Sequence, residues 1–110
     1  MENAELEGAV MTAYMIFTRE GPVRDEGEMV EYGRLNRENA EEFRTLYKLT
    51  PLVVYGALEA LEGPAPDGVI ILQFPTVKDA KAWYNSPNYQ AAIPHRMKAA
   101  DYRAIIVEGL

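Results

Sequence analysis

The residues able to do chemistry are few. His95 is the only histidine, and there is no cysteine. An imidazole is the one side chain whose ordinary pKa lies near neutrality, so His95 is the natural general acid–base candidate. No nucleophile stands near it in sequence, and a surface or capping role competes with catalysis. Arg96 follows it and offers a planar fork for a carboxylate, or a surface ion pair. Trp83, Tyr84 and Tyr89 cluster around a helix break at Ser86. They read either as the wall of a pocket for a flat organic molecule or as core aromatics with bonded hydroxyls. Ser86 lacks a nucleophile-elbow setting and suits a helix cap. Asn36 and Gln73 interrupt apolar patterns. Each needs a polar partner if buried, so they either bond to each other or the backbone or face a small polar cavity between helices and sheet. Tyr14 and Tyr55 add hydroxyls that could reach the same space.

Composition bounds this chemistry. The 110 residues carry 11 basic and 17 acidic side chains, for a net charge of −6. A negative chain is poorly suited to non-specific nucleic-acid binding, which works by neutralising phosphates. Without cysteine, thiolate chemistry, disulfides and thiolate-held metals are excluded. One histidine and no tight acidic loop leave no basis for a metal site or other cofactor. No apolar run approaches the roughly 20 residues of a membrane helix, and no signal peptide opens the chain. The expectation is a cytoplasmic protein with residues 1–11 as a flexible tail and residues 12–110 as one domain.

The elements that must position these residues follow from pattern. Residues 13–18 (AYMIFT) read as a strand. Gly21-Pro22 breaks it, and Asp25 with Glu28 makes a capping-box-like helix start. A stripe of Met29, Tyr32, Gly33, Asn36, Ala40, Phe43 and Tyr47 predicts one long helix that ends before Pro51. Residues 52–61 (LVVYGALEAL) predict a second strand, with Gly56 marking a bulge or bend. The turn at 63–68 contains Asp67-Gly68, and 69–74 (VIILQF) is a third strand. Residues 77–84 form a helix. Ser86-Pro87 restarts the chain as another that runs to about Ala100. Residues 103–108 (RAIIVE) are the last strand. The order β-α-β-β-α-β, with right-handed crossovers, predicts a ferredoxin-like α+β sandwich with a four-stranded antiparallel sheet and the helices on one face.

The other face is then the anomaly. Both parities of these strands are apolar: Tyr14 and Ile16 against Ala13, Met15 and Phe17, and Val69 and Ile71 against Ile70, Leu72 and Phe74. A monomer would leave one apolar face in water. The expected partner is a second copy, packed face to face as a homodimeric α/β barrel.

Residues 82–90 (AWYNSPNYQ) resemble domain of unknown function 1330, within the dimeric α/β-barrel superfamily. Supporting stretches are 58–63 (LEALEG), 71–75 (ILQFP) and 106–109 (IVEG), so the similarity spans about residues 12–109. The resemblance implies the ferredoxin-like fold and the face-to-face dimer, but no reaction. Superfamily relatives include cofactor-independent monooxygenases, haem-degrading enzymes and proteins like muconolactone isomerase and chlorite dismutase, and fold alone does not choose among them. The segment 19–28 and the long first helix depart from many members.

Three functions follow from these residues. One is a small-molecule enzyme or binding protein, working without a cofactor through a pocket that includes Asn36, Gln73, Tyr84 and His95. The alternative is a non-catalytic dimeric module. Haem ligation by His95 is the third, and it predicts a Soret band lost in His95→Ala.

Overall fold

A computed structural model describes residues 11–110; the expected tail falls almost wholly outside the described residues. The elements are β1 (Ala13–Arg19), α1 (Glu26–Glu38), α2 (Ala40–Leu46), β2 (Thr50–Val54), β3 (Gly68–Phe74), α3 (Val77–Tyr84), α4 (Pro87–Ala99) and β4 (Tyr102–Glu108). The sheet is antiparallel in the order β2-β3-β1-β4. This is the expected ferredoxin-like α+β fold, with β1 and β3 central.

Local chemistry sets the helix starts. Asp25 accepts from the Glu28 N–H at 3.1 Å, and Thr76 caps α3 by accepting from the Asp79 N–H at 3.1 Å. Ser86 caps α4 with Pro87 in the first turn, as read from sequence. Each cap satisfies a donor that the helix itself cannot pair.

Two expectations are corrected. The long first helix is two helices, because Asn39 departs from helical geometry (φ −101°, ψ 12°) while its side-chain amide donates back to the Leu35 carbonyl. It ends at Leu46, with Lys48 at φ 58°, and not at Pro51. Pro51 instead lies inside β2. That strand is at the edge of the sheet, where a missing N–H is tolerated. Strand 2 is also shorter than the expected 52–61. Tyr55 adopts φ 56°, a left-handed backbone that ends the ladder, and residues 56–65 are exposed. The bulge falls between Pro51 and Val53, not at Gly56.

Register assigns the two faces. Ala13, Met15, Phe17, Leu72 and Phe74 are buried under the helices together with Tyr32, Phe43, Ala80, Trp83 and Tyr89. Side chains directly opposite on neighbouring strands share a face. The open face therefore holds Ile16 between Ile71 and Ile105, Tyr14 between Gln73 and Val107, and Val53 beside Ile71. Ile105 is 53% exposed and Val107 41%. The open face is as apolar as the sequence implied.

Candidate functional site

The helix layer is packed unevenly, and the site lies where packing fails. Between α1, α2 and the β2–β3 side of the sheet lies a cavity of about 750 Å³. Phe17, Ile70 and Leu72 form its floor, Met29, Tyr32 and Phe43 its roof, and Trp83 its inner end. That is the size and apolar character of a small-molecule pocket. Its rim carries Arg37, Glu41 and Arg44, and Tyr55 lies at its edge.

Three polar groups serve this space. Asn36 lines it, and its Oδ1 is buried without a hydrogen-bond partner. The Trp83 Nε1 is likewise buried and unpaired. Both atoms are shut off from the open space itself, and unpaired buried polar atoms cost of the order of 1–3 kcal/mol each. Tyr32 is third. Its hydroxyl shares a 2.7 Å hydrogen bond with that of Tyr89, and burial pushes its pKa well above the ordinary tyrosine range. Burial also raises that of Tyr89, opposed by the nearby Arg96 charge. Burial raises that of Tyr55 as well, and the Tyr55 hydroxyl bonds that of Tyr102. All three are neutral hydroxyls at physiological pH.

Among the residues singled out by sequence, Asn36, Tyr55 and Trp83 line the cavity. Tyr89 stacks on Trp83 (centroids 4.0 Å apart) from behind. Ser86 donates to the Trp83 carbonyl at 2.7 Å and accepts from the Tyr89 N–H, so it is a cap. Gln73 and Tyr14 are corrected: they sit opposite each other on the open face, across the sheet from Asn36. The polar convergence of Asn36 with Gln73 does not occur. Tyr84 borders a shallow second depression with Met15 and Ile106. His95 binds Glu28 through Nδ1 at 2.5 Å, tying α4 to α1 away from the cavity lining. Arg96 is 5% exposed, and its guanidinium lies over the rings of Phe17 (5.4 Å) and Tyr102 (5.5 Å), so the expected surface pair is absent. Sequence reasoning passed over Arg37, Arg44 and Met29 as site residues. Arg37 was detectable, since it follows Asn36 by one residue and Gly33 by four on the same helix.

Among the described residues no group of three His, Asp or Glu side chains is placed to hold a metal. None of the helices described is long and apolar enough to cross a membrane.

The family model for domain of unknown function DUF1330 matches residues 12–110. The chain belongs to that family. No curated protein matches this DUF1330 chain. Among solved structures, a protein of unknown function from Rhodopseudomonas palustris is similar, with 19% identity, TM-score 0.66 and coverage of 97% of this chain and 90% of that one. A dimeric ferredoxin-like protein of unknown function from Thermobifida fusca matches with 13% identity and TM-score 0.62, over 91% and 92%. A protein from Nitrosomonas europaea, named as a candidate antibiotic biosynthesis monooxygenase, matches with 17% identity and TM-score 0.52, over 91% and 90%. These similarities support the ferredoxin-like fold of this DUF1330 domain.

Proposed function

We propose that this DUF1330 protein binds a small, largely apolar organic molecule in the cavity between α1, α2 and the sheet, and works as a homodimer through its open sheet face. One observation carries the ligand reading: a cavity of about 750 Å³ lined mainly by apolar and aromatic side chains, with Asn36 among them. A purely structural core would collapse onto such a space or fill it. The tyrosine hydroxyls and the asparagine amide are suited to orienting a ligand by hydrogen bonds; with their pKa values raised by burial, Tyr32 and Tyr55 would hold a substrate in a cofactor-independent reaction and not protonate it. The dimer reading rests on Ile16, Ile71, Ile105 and Val107 on one uncovered face. The Thermobifida fusca relative, described as dimeric, supports it.

Trp83 is the sole tryptophan and stands in the cavity wall, so it reports occupancy directly. The neutral probe N-phenyl-1-naphthylamine should quench Trp83 by energy transfer and brighten, and Ala40→Phe at the cavity wall should abolish both changes. No transfer at tens of micromolar probe would favour the second reading, a non-catalytic dimeric module. For the dimer, Ile71→Lys should give a monomer by analytical ultracentrifugation at micromolar concentration. A monomeric wild type there would remove the dimer reading.

A further inference from the structure

We infer that the cavity's ligand is an organic anion: an apolar body with one carboxylate, held at the cavity mouth by Arg37. The inference rests on the ligand reading above and adds the chemical class. Charge is its first support. The chain carries −6 overall, yet around this cavity the sign reverses. The mouth has Arg37 and Arg44 against the single acid Glu41. Arg44 is satisfied by Glu41, with Nη2 and Oε2 3.5 Å apart. No carboxylate among the described residues pairs with Arg37, although acids are the commonest charged residues of the chain. Behind the Phe17 wall lies a further cation, Arg96. It is buried, has no carboxylate partner among the described residues, and its Nε is unpaired. Its guanidinium rests on the ring of Phe17, which lines the cavity, and so adds to the positive sign on that side.

Gly33 is the second support. It sits in the middle of α1, where glycine costs about 1 kcal/mol relative to alanine. A β-carbon there would approach the Arg37 Nη1 to 3.2 Å, tighter than ordinary contact. With no side chain at this position, the Arg37 guanidinium lies back along the helix beside Gly33, and both residues line the cavity. A planar fork laid at the mouth of an apolar cavity matches a carboxylate bidentately.

The test uses the whole protein and a graded series from phenylacetate to 6-phenylhexanoate, each beside its matching neutral alcohol, with binding read by calorimetry and Trp83 fluorescence. The best acid should bind about tenfold more tightly than its alcohol at low salt. Arg37→Gln should erase that difference without weakening the alcohol, and added salt should do so partly. Arg37→Glu should exclude the acid and leave the alcohol bound. Alcohols that match or exceed the acids, or an Arg37→Gln variant that weakens both equally, would overturn the anion inference while the cavity reading stands. The same holds if only N-phenyl-1-naphthylamine binds. If acids, alcohols and that probe all fail, both readings fall.

Discussion

One helix layer covers the sheet, and its two halves are packed to opposite effect. Beside α3 and α4 the aromatic side chains are fitted together: Trp83 stacks on Tyr89, Phe74 lies 5.5 Å from Trp83, and Phe17 and Phe43 meet Trp83 edge-on at 6.4 and 5.9 Å. Beside α1 and α2 the same sheet face borders an open cavity. Sheet and helices alone do not account for the difference. The α3–α4 half receives three large rings from seven consecutive residues, whereas α1 turns Gly33 and Asn36 toward its space. The contrast teaches that one half of the layer is filled for stability, while the other is left open where the proposed ligand would sit.

The contrast can be broken most severely from the filled half. Phe74→Ala deletes a fully buried ring and should cost about 3–5 kcal/mol in urea unfolding, since the surrounding aromatics cannot close the gap. A loss below about 1 kcal/mol would mean that this half is not the rigid one. The Tyr32–Tyr89 pair joins the two halves and is the next lever. Tyr32→Phe or Tyr89→Phe alone strands a buried hydroxyl and should cost about 1–3 kcal/mol, while the double variant should cost less than the sum. Both pKa values are raised in the folded state, so these tyrosines contribute stability that is present below about pH 10 and lost as pH rises past it, where the unfolded chain ionises first. Wild-type stability should therefore be flat near neutrality and fall in alkali, less steeply in the double variant. The hollow half sharpens the comparison with the smallest effect. Gly33→Ala should leave stability unchanged or raise it by up to about 1 kcal/mol, because helix propensity improves and the added methyl displaces only the flexible end of Arg37.

Much of this asymmetry was legible, and its limits have physical causes. The caps at Asp25 and Ser86, the strand order and the apolar character of both sheet faces all follow from local pattern. Gln73 was the instructive failure. Strand parity sets it with Ile71 and against Leu72 and Phe74, but parity does not say which set the helices cover, and only long-range packing decides that. The break at Asn39 hid inside a stripe of regular three- and four-residue spacing, because a side-chain bond to the Leu35 carbonyl leaves spacing untouched. The cavity was invisible for a different reason. Asn36 and Trp83 were both flagged from their chemistry, yet empty volume is what neighbouring residues fail to fill, and no single position announces it.

Tyr55 and Gly68 carry a last consequence. A β-carbon at Gly68 would come within 2.6 Å of the Tyr55 ring, and Tyr55 itself holds a backbone angle that tyrosine rarely accepts. Neither position is free to vary while its mate stays put. A bulkier residue at 68 would evict the phenol and unhook it from Tyr102, whereas shrinking position 55 at the same time would relieve the clash at the cost of that hydrogen bond. The two sites are a lock and its keyway, and anyone transplanting this arm onto another sheet must carry both.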